Sequence, residues 1–226
     1  METPDNAQLT ALIIKSIHKK EKKHTMKTLE IKITLLEEML GTSPNNEDIY
    51  RDFIASKAPD ASTIEEEVEA LGVDAAADKG MTVFSRDEEG RPALYDYHIK
   101  GFFKDACSML RKATGSKSKN LTAHKKMIDG LVFVNPRMIP IILPEGTEIG
   151  CCQRPLRAST AKGERVSLSM SESAPAGSTM ELEITCLTDG DEEYVREWLD
   201  YGVYRGLGQW RNSGKGRFSW EEIRCY

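Results

Sequence analysis

Apolar and polar residues alternate most regularly just after residue 26. From residue 29 to residue 35 every second residue is leucine or isoleucine, with Glu30, Lys32 and Thr34 between them. A period of two is typical of a β-strand with one buried face, so this stretch predicts the first strand of a domain that begins near Met26. Similar apolar stretches predict further strands over 131–134, 138–143, 166–170, 180–187 and 217–223.

Apolar residues at helical spacing predict three helices. One begins at Ser62 in an acidic stretch, a second lies within 99–112, and a third covers 191–202. Gly101 is expected to end a strand that contains His98, before the second helix begins. Residues 82–95 predict a hairpin with its turn at 89–92. The chain therefore combines strands with helices, and its predicted fold class is α+β.

Length and composition restrict the class of protein. The chain has 226 residues, a net charge of −5, 39% apolar residues and 30% charged residues. These values favour one ordinary folded domain with extensions, and they exclude a wholly disordered chain, a collagen and a membrane channel. The longest nearly uncharged apolar run, 131–143, is shorter than the roughly 20 residues that cross a bilayer. We predict no membrane contact and no secretory signal, and expect the protein in the cytoplasm.

The five cysteines and four histidines do not form a metal-binding pattern. The cysteines include no CxxC pair, and no histidine belongs to an HExxH motif. The sequence therefore predicts no metal site, no disulfide framework and no cofactor.

Charge is distributed unevenly along the chain. Residues 1–25 form a basic N-terminal extension, which is either a solvated tail or a contact for nucleic acid. Residues 45–78 hold ten acidic residues against two basic ones, and are expected to be an acidic helical insertion that avoids nucleic acid. Between residues 99 and 126 the balance reverses, with eight basic residues and one acidic residue, Asp105. The folded domain is predicted to span 26–226.

The most unusual stretch is a glycine-rich loop between the last helix and the last strand, with no carboxylate between Gly202 and Ser219. Its glycines are Gly206, Gly208, Gly214 and Gly216, and its basic residues are Arg205, Arg211, Lys215 and Arg217. Glycine lets backbone N–H groups approach an anion, arginine and lysine neutralise phosphate, and Trp210 offers a face for base stacking. The loop matches neither GxGxxG nor a Walker motif. The alternative is a glycine-rich hairpin in which Trp210 and Phe218 are core residues.

This loop resembles the C-terminal glycine-rich loop of the RAMP superfamily, the ferredoxin-like RNA-binding proteins of CRISPR systems. Three other segments are similar to that family: 29–42 to its first strand and turn, 97–106 to its glycine-containing helix start, and 165–187 to the hairpin of the CRISPR backbone subunits. The resemblance covers 26–223. It implies a modified ferredoxin-like (RRM-like) antiparallel sheet with helices on one face, to which the acidic helical insertion is added.

The resemblance also implies a function. The protein would hold RNA by its phosphates, as a subunit of, or in association with, a CRISPR-type ribonucleoprotein in antiviral defence. Lys100 and Lys104 are expected at a helix N-terminus, where exposed N–H groups also attract phosphate. The residues expected to contact RNA are Lys100, Lys104, Arg111, Arg205, Gln209, Trp210, Arg211, Lys215 and Arg217. The expected partners are RNA and the protein subunits of such a complex.

Two alternatives stay open on the sequence alone. A phage or mobile element could encode an interaction protein that docks on, or mimics, a subunit of a defence complex, with 65–67 imitating phosphate. The less favoured alternative is an endoribonuclease, in which His98 or His124 acts as general acid or base. Both histidines stand where a structural role is expected, so no catalytic residue is assigned.

Overall fold

The computed structural model describes residues 26–44, 81–160 and 163–226. The predicted N-terminal extension and acidic insertion lie outside these residues. The strands are β1 Lys27–Leu35, β2 Met39–Leu40, β3 Ser43–Pro44, β4 Thr82–Val83, β5 Ser85–Arg86, β6 Pro92–Tyr95, β7 Val132–Asn135, β8 Met138–Pro140, β9 Gly150–Thr160, β10 Gly163–Ala174, β11 Thr179–Cys186 and β12 Phe218–Cys225. The α-helices of the described residues are α1 Asp96–Leu110, α2 His124–Leu131 and α3 Asp191–Asp200.

The central sheet has four antiparallel strands in the order β12-β1-β11-β7. β1 confirms the first predicted strand, and the residues of its apolar face are fully buried: Leu29, Ile31, Ile33 and Leu35. β11 and β7 bury alternate residues in the same way. Because β1 pairs with a strand on each side, its alternation determines which face of the sheet turns toward the core.

Helices α1 and α3 pack their apolar residues into the core that this face of the sheet lines. Phe103 of α1 meets Trp198 of α3 with ring centroids 5.5 Å apart, and Phe102 meets Phe218 of β12 at 5.1 Å. All four rings are buried, and burial of such a side chain contributes roughly 1.5–3 kcal/mol. The predicted third helix and last strand are confirmed by α3 and β12.

The opposite face of the central sheet is polar and carries an excess of carboxylates. We call it the polar face; its charged residues are Glu30, Lys32, Glu181, Glu183, Glu221 and Arg224. Glu30 of β1 stands directly opposite Glu183 of β11, and Lys32 stands between Glu181 and Glu221. Four acidic residues against two basic ones leave this face negatively charged, and like charges directly opposite each other weaken strand pairing.

The hairpin predicted across 165–187 is wrong, because its two halves belong to different sheets. β10 pairs with β9, β2 and β4, whereas β11 joins the central sheet. The turn between them bonds to the end of β1, where the N–H of Leu35 donates to Ser178 at 2.9 Å and that of Gly177 donates to Leu35 at 2.8 Å. The long hairpin of this protein is β9–β10, and β9 is not predicted from the sequence.

A third sheet has the strand order β5-β6-β8, and its β5 and β6 confirm a hairpin that ends at Tyr95. The predicted first arm is wrong, because 82–83 form β4, which pairs with β3 and β10 in another sheet. The turn between β5 and β6 closes where the N–H of Asp87 donates to the carbonyl of Arg91 at 3.0 Å. None of the helices in the described ranges has the length and apolarity of a bilayer-spanning segment.

Helix α1 begins earlier than predicted, at Asp96. His98 is therefore a helical residue and not part of a strand, and its Nδ1 accepts a bond from the backbone N–H of Tyr95 at 3.2 Å. Gly101 lies inside the helix and is exposed to solvent. The expectation that Lys100 and Lys104 stand at a helix N-terminus is wrong, because they lie in the second and third turns.

The basic segment 115–119 is attached to α3. Glu197 accepts the backbone N–H groups of Lys117 at 2.6 Å and Ser118 at 3.0 Å. The indole Nε1–H of Trp198 donates to the Ser118 hydroxyl at 2.9 Å, and Ser118 is fully buried. One carboxylate therefore satisfies two backbone donors and holds the segment against the core.

Gly101→Ala should stabilise the protein. A methyl group at this position meets nothing within 4 Å, and alanine loses less backbone entropy on folding than glycine. We expect the free energy of unfolding, measured in urea, to rise by about 0.4–1 kcal/mol. A decrease would mean that α1 does not continue through this residue.

Candidate nucleic-acid interface

The glycine-rich loop, residues 205–217, is closed by contacts between its own two ends. The N–H of Leu207 donates to the carbonyl of Gly216 at 2.9 Å, and the N–H of Gly216 donates to Glu38 at 2.8 Å. A methyl group on Gly206 would overlap the backbone of Gly216, and one on Gly216 would overlap the carbonyl of Leu207. Glycine at these two positions is therefore required by backbone-to-backbone packing.

The other two glycines differ from each other. Gly208 has a φ of +76°, and a methyl group on it would overlap the carbonyl of Leu40 in β2. Gly214 has a φ of +86°, and a methyl group on it would make only an ordinary contact with the Arg217 side chain, at 3.7 Å. Gly206 and Gly216 thus let the two ends of the loop pack against each other, and Gly208 lets the loop pack against the residues that follow β1.

The basic residues of the loop are paired with carboxylates from distant parts of the chain. Arg205 and Arg211 share Asp105 of α1, the second at 3.1 Å. Two guanidinium groups on one carboxylate leave a net positive charge beside the third turn of the helix. The side-chain amide oxygen of Asn212 also accepts a hydrogen bond from Arg205, at 2.8 Å.

The second half of the loop is paired with the residues that follow β1. Lys215 binds Glu38, and Arg217 binds Glu37 with 2.9 Å between nitrogen and oxygen. The hydrogen bond that Lys215 donates to the Glu38 carboxylate raises the pKa of Lys215. This half of the loop is therefore locally neutral, and its attraction for phosphate is weaker than its sequence indicates.

Gln209 and Trp210 lie at the outer part of the loop, against Arg154 of β9. The Nη2 of Arg154 donates to the Gln209 side-chain oxygen at 2.9 Å, and its guanidinium carbon lies 5.1 Å from the centre of the Trp210 ring. Trp210 is 44% exposed, whereas Phe218 is fully buried. The interpretation of both aromatic residues as core is therefore right for Phe218 and wrong for Trp210.

The remaining predicted contacts lie on another side of α1. Lys104 binds Asp129 of α2 at 2.5 Å, and Lys100 lies 4.7 Å above the ring of Phe133 in β7. Arg111 donates to Nδ1 of His124 at 3.3 Å. Among the described residues, none of these three basic side chains forms a hydrogen bond or an ion pair with the glycine-rich loop. In the described structure, the predicted RNA contacts on α1 and those of the glycine-rich loop therefore form two separate groups.

Both candidate histidines are occupied by structural contacts. Nε2 of His98 lies 2.9 Å from the Thr42 hydroxyl, and Nε2 of His124 lies 3.0 Å from the Ser108 hydroxyl. Burial lowers the pKa of His98, and burial together with the Arg111 charge lowers the pKa of His124. Each ring links one helix residue to a neighbour in the fold, which is the structural role expected from the sequence.

Sequence reasoning missed the partners of this site. Arg154 carries no special motif, and the three carboxylates Asp105, Glu37 and Glu38 are remote from the loop in sequence. The adjacent pair of glutamates directly after the first predicted strand was the one signal that could have indicated them. In the described part of the chain, no group of three or more histidine, cysteine or acidic side chains could hold a metal ion.

The chain matches no family model and no curated protein sequence. Among solved structures, 129 chains match it. One belongs to the cryo-EM structure of the Type III-B Cmr-beta bound to cognate target RNA, with a TM-score of 0.51 and 11% sequence identity. The likeness covers 98% of this chain and 67% of that chain. At this identity it establishes a shared fold, and the predicted α+β class agrees with it.

Gly216→Ala should disrupt the loop. The substitution combines a positive φ of +69° with an overlap against the Leu207 carbonyl, so we expect a loss of more than about 2 kcal/mol in urea unfolding. Gly90→Ala is the matched control, because Gly90 has a φ of +77° but nothing within 4 Å, and should cost about 1 kcal/mol. Equal losses of stability in Gly216→Ala and Gly90→Ala would show that the close approach of Gly216 to the Leu207 carbonyl does not require glycine.

Stability should decrease as the pH falls through 6.5. The unfolded chain protonates His98 near its ordinary pKa of 6.5, while the folded protein holds that pKa lower, so protons favour unfolding in this window. Urea unfolding at pH 7.5 and pH 5 should show a smaller loss in His98→Gln than in the natural sequence. If His98→Gln lost as much free energy of unfolding between pH 7.5 and pH 5 as the natural sequence does, His98 would not be a source of the effect.

Proposed function

We propose that the protein is an RNA-binding protein of the RAMP type, acting in the cytoplasm as a subunit of, or in association with, a CRISPR-type ribonucleoprotein. The observation that carries the proposal is the likeness to a chain of an RNA-bound Cmr assembly over 98% of this sequence. The sequence resemblance of the glycine-rich loop supports the same class independently of the fold. RNA and the subunits of such a complex are the proposed partners.

Strand order supports a ferredoxin-like core. Counted along the chain, β1, α1, β7, β11, α3 and β12 form a β-α-β-β-α-β succession, and the strands lie in the order β12-β1-β11-β7. We propose that these elements are the modified ferredoxin-like core, to which β2–β6 and the β9–β10 hairpin are added. The proposed domain is 26–226, with 45–78 as an insertion and 1–25 as an extension.

Charge favours the glycine-rich loop over the polar face as the RNA contact. The polar face has four carboxylates against two basic residues, so it repels a phosphate backbone. Arg205 and Arg211 retain a net positive charge on Asp105, and Arg154 has no carboxylate partner among the described residues. A phosphate could replace Asp105 as the partner of Arg205 or Arg211 at a small cost in free energy. A partly exposed ion pair contributes only about 0–1 kcal/mol to stability.

A second candidate function is an interaction protein that docks on a basic partner. The negative polar face of the central sheet is the observation that favours it, since complementary charge steers association. The acidic insertion, which also favours this function, lies outside the described residues. A protein that captures a basic subunit while leaving RNA unbound would support this second function and exclude the first.

The test of the first function is RNA binding with its salt dependence. Fluorescence anisotropy with a labelled 30-nucleotide single strand should show binding that weakens steeply between 50 and 200 mM salt. Arg211→Gln should reduce the slope of log affinity against log salt by about 1, because it removes one phosphate contact while Arg205 still neutralises Asp105.

Arg137→Gln is the matched control for this measurement. Arg137 is also paired with a carboxylate, Asp96 at 2.8 Å, but its contacts lie with Tyr95 and Tyr97 and not with the loop. Its removal should leave the slope unchanged. Absence of RNA binding at 50 mM salt would refute the proposed function. Equal slope changes in both variants would refute the glycine-rich loop as the RNA contact.

A further inference from the structure

Arg154 differs from every other basic residue at the loop. It is 6% exposed, and its Nε and Nη1 atoms are buried without a hydrogen-bond partner among the described residues. The four basic residues of the loop itself each bind a carboxylate. Within the described part of the chain, the partners of Arg154 are the neutral Gln209 oxygen and the face of the Trp210 ring.

An unneutralised guanidinium in this position is costly. Removing a cation from water is compensated only when an anion or several hydrogen bonds replace the lost hydration. One amide bond and one aromatic face do not fully replace it, so Arg154 keeps a positive charge directly beneath Trp210. Because this charge is buried, dissolved salt screens it less than it screens a charge at the surface.

The Trp210 side chain is held in an unusual way above this charge. Its backbone has a φ of +55° and a ψ of 33°, the left-handed region that a bulky residue rarely adopts. Such strain persists where the surroundings impose it, and it is frequent at ligand sites. Here it places one ring face toward the guanidinium, while 44% of the residue remains exposed.

We propose that Trp210 is a stacking platform for one unpaired nucleobase of a bound RNA, with Arg154 as a fixed cation behind it. The proposal rests on the proposed function and names the part of the RNA that this site takes. Base, indole and guanidinium form a three-layer stack, and the buried charge attracts the phosphate next to the stacked base. Gln209 keeps the guanidinium in place through its bond to Nη2.

An unpaired base fits this site better than a bare anion does. A phosphate alone needs no aromatic surface and would bind Arg211, which is accessible and shares its carboxylate. A base in a duplex has its faces covered by its neighbours. Stacking also tolerates any base, because each presents a flat π face, so we expect binding without sequence preference at this position.

The test uses the emission of Trp210. The full chain carries Trp220→Phe, which leaves Trp198, fully buried, and Trp210 as the two emitting residues. Titration with a ten-nucleotide oligouridylate should quench the exposed emission, whereas inorganic polyphosphate, which has charge but no bases, should not. Anisotropy with the labelled strand measures binding in parallel.

Two variants of the platform accompany the titration. Trp210→Gly removes the ring and suits the positive φ, so the loop backbone is not strained by the change; affinity for oligouridylate should fall about ten- to hundred-fold. Trp210→Phe keeps a smaller ring and should recover part of the affinity. Tyr204→Ala is the matched control, because Tyr204 is a 76% exposed aromatic residue of the same segment that does not contact Arg154 in any recorded interaction.

The outcomes separate the two proposals. Quenching by oligouridylate, together with a loss of affinity in Trp210→Gly alone, supports the platform. RNA binding with unchanged emission and unchanged affinity in Trp210→Gly overturns the platform and leaves the proposed function standing. Absence of RNA binding in every protein overturns both.

Discussion

The packing of β1 between two strands and beneath two helices is the constraint on which the other elements depend. The apolar side of β1 is fully buried, so the sheet can turn only one face toward α1 and α3. The contact between Phe103 and Trp198 then determines how the two helices lie together, and Phe102 against Phe218 places β12. Since the glycine-rich loop runs between α3 and the start of β12, the packed core positions both of its ends.

Inside that frame, the loop is held by neighbours from three separate parts of the chain. Glu37 and Glu38 follow β1, Asp105 belongs to α1, and Arg154 belongs to the β9–β10 hairpin. The first three neutralise basic residues, whereas the fourth adds a positive charge without an anion. The electrostatic character of the interface therefore depends less on how many basic residues the loop contains than on which of them have a carboxylate. The opposite, polar face of the central sheet is negatively charged, so it would repel a phosphate chain.

Sequence patterns predicted the elements whose residues alternate or recur with a clear period. β1, α3 and β12 belong to this group, and the glycine-rich loop was located because its composition is unusual. β9 was missed because its sequence combines two cysteines, two arginines and a proline with no regular alternation. The start of α1 was misplaced because aromatic residues at 95 and 97 favour a strand. The helix start is instead stabilised by a local capping bond from the Tyr95 N–H to His98 and by the tertiary contact of His98 with Thr42. The partners of the loop could not be predicted, since pairing of residues roughly 50 to 180 positions apart depends on the completed fold.

The close contact between Gly206 and Gly216 has a consequence for how relatives of such a protein should be interpreted. Glycine is needed there to join the loop to the end of β1, whether or not a ligand binds. A relative with no affinity for nucleic acid would still need these glycines for the same backbone packing, whereas that packing places no such requirement on Trp210 or Arg154. Glycine content in this loop is thus a marker of shared architecture, and the aromatic and buried basic positions are the informative ones for tracing where an ancestral activity persists.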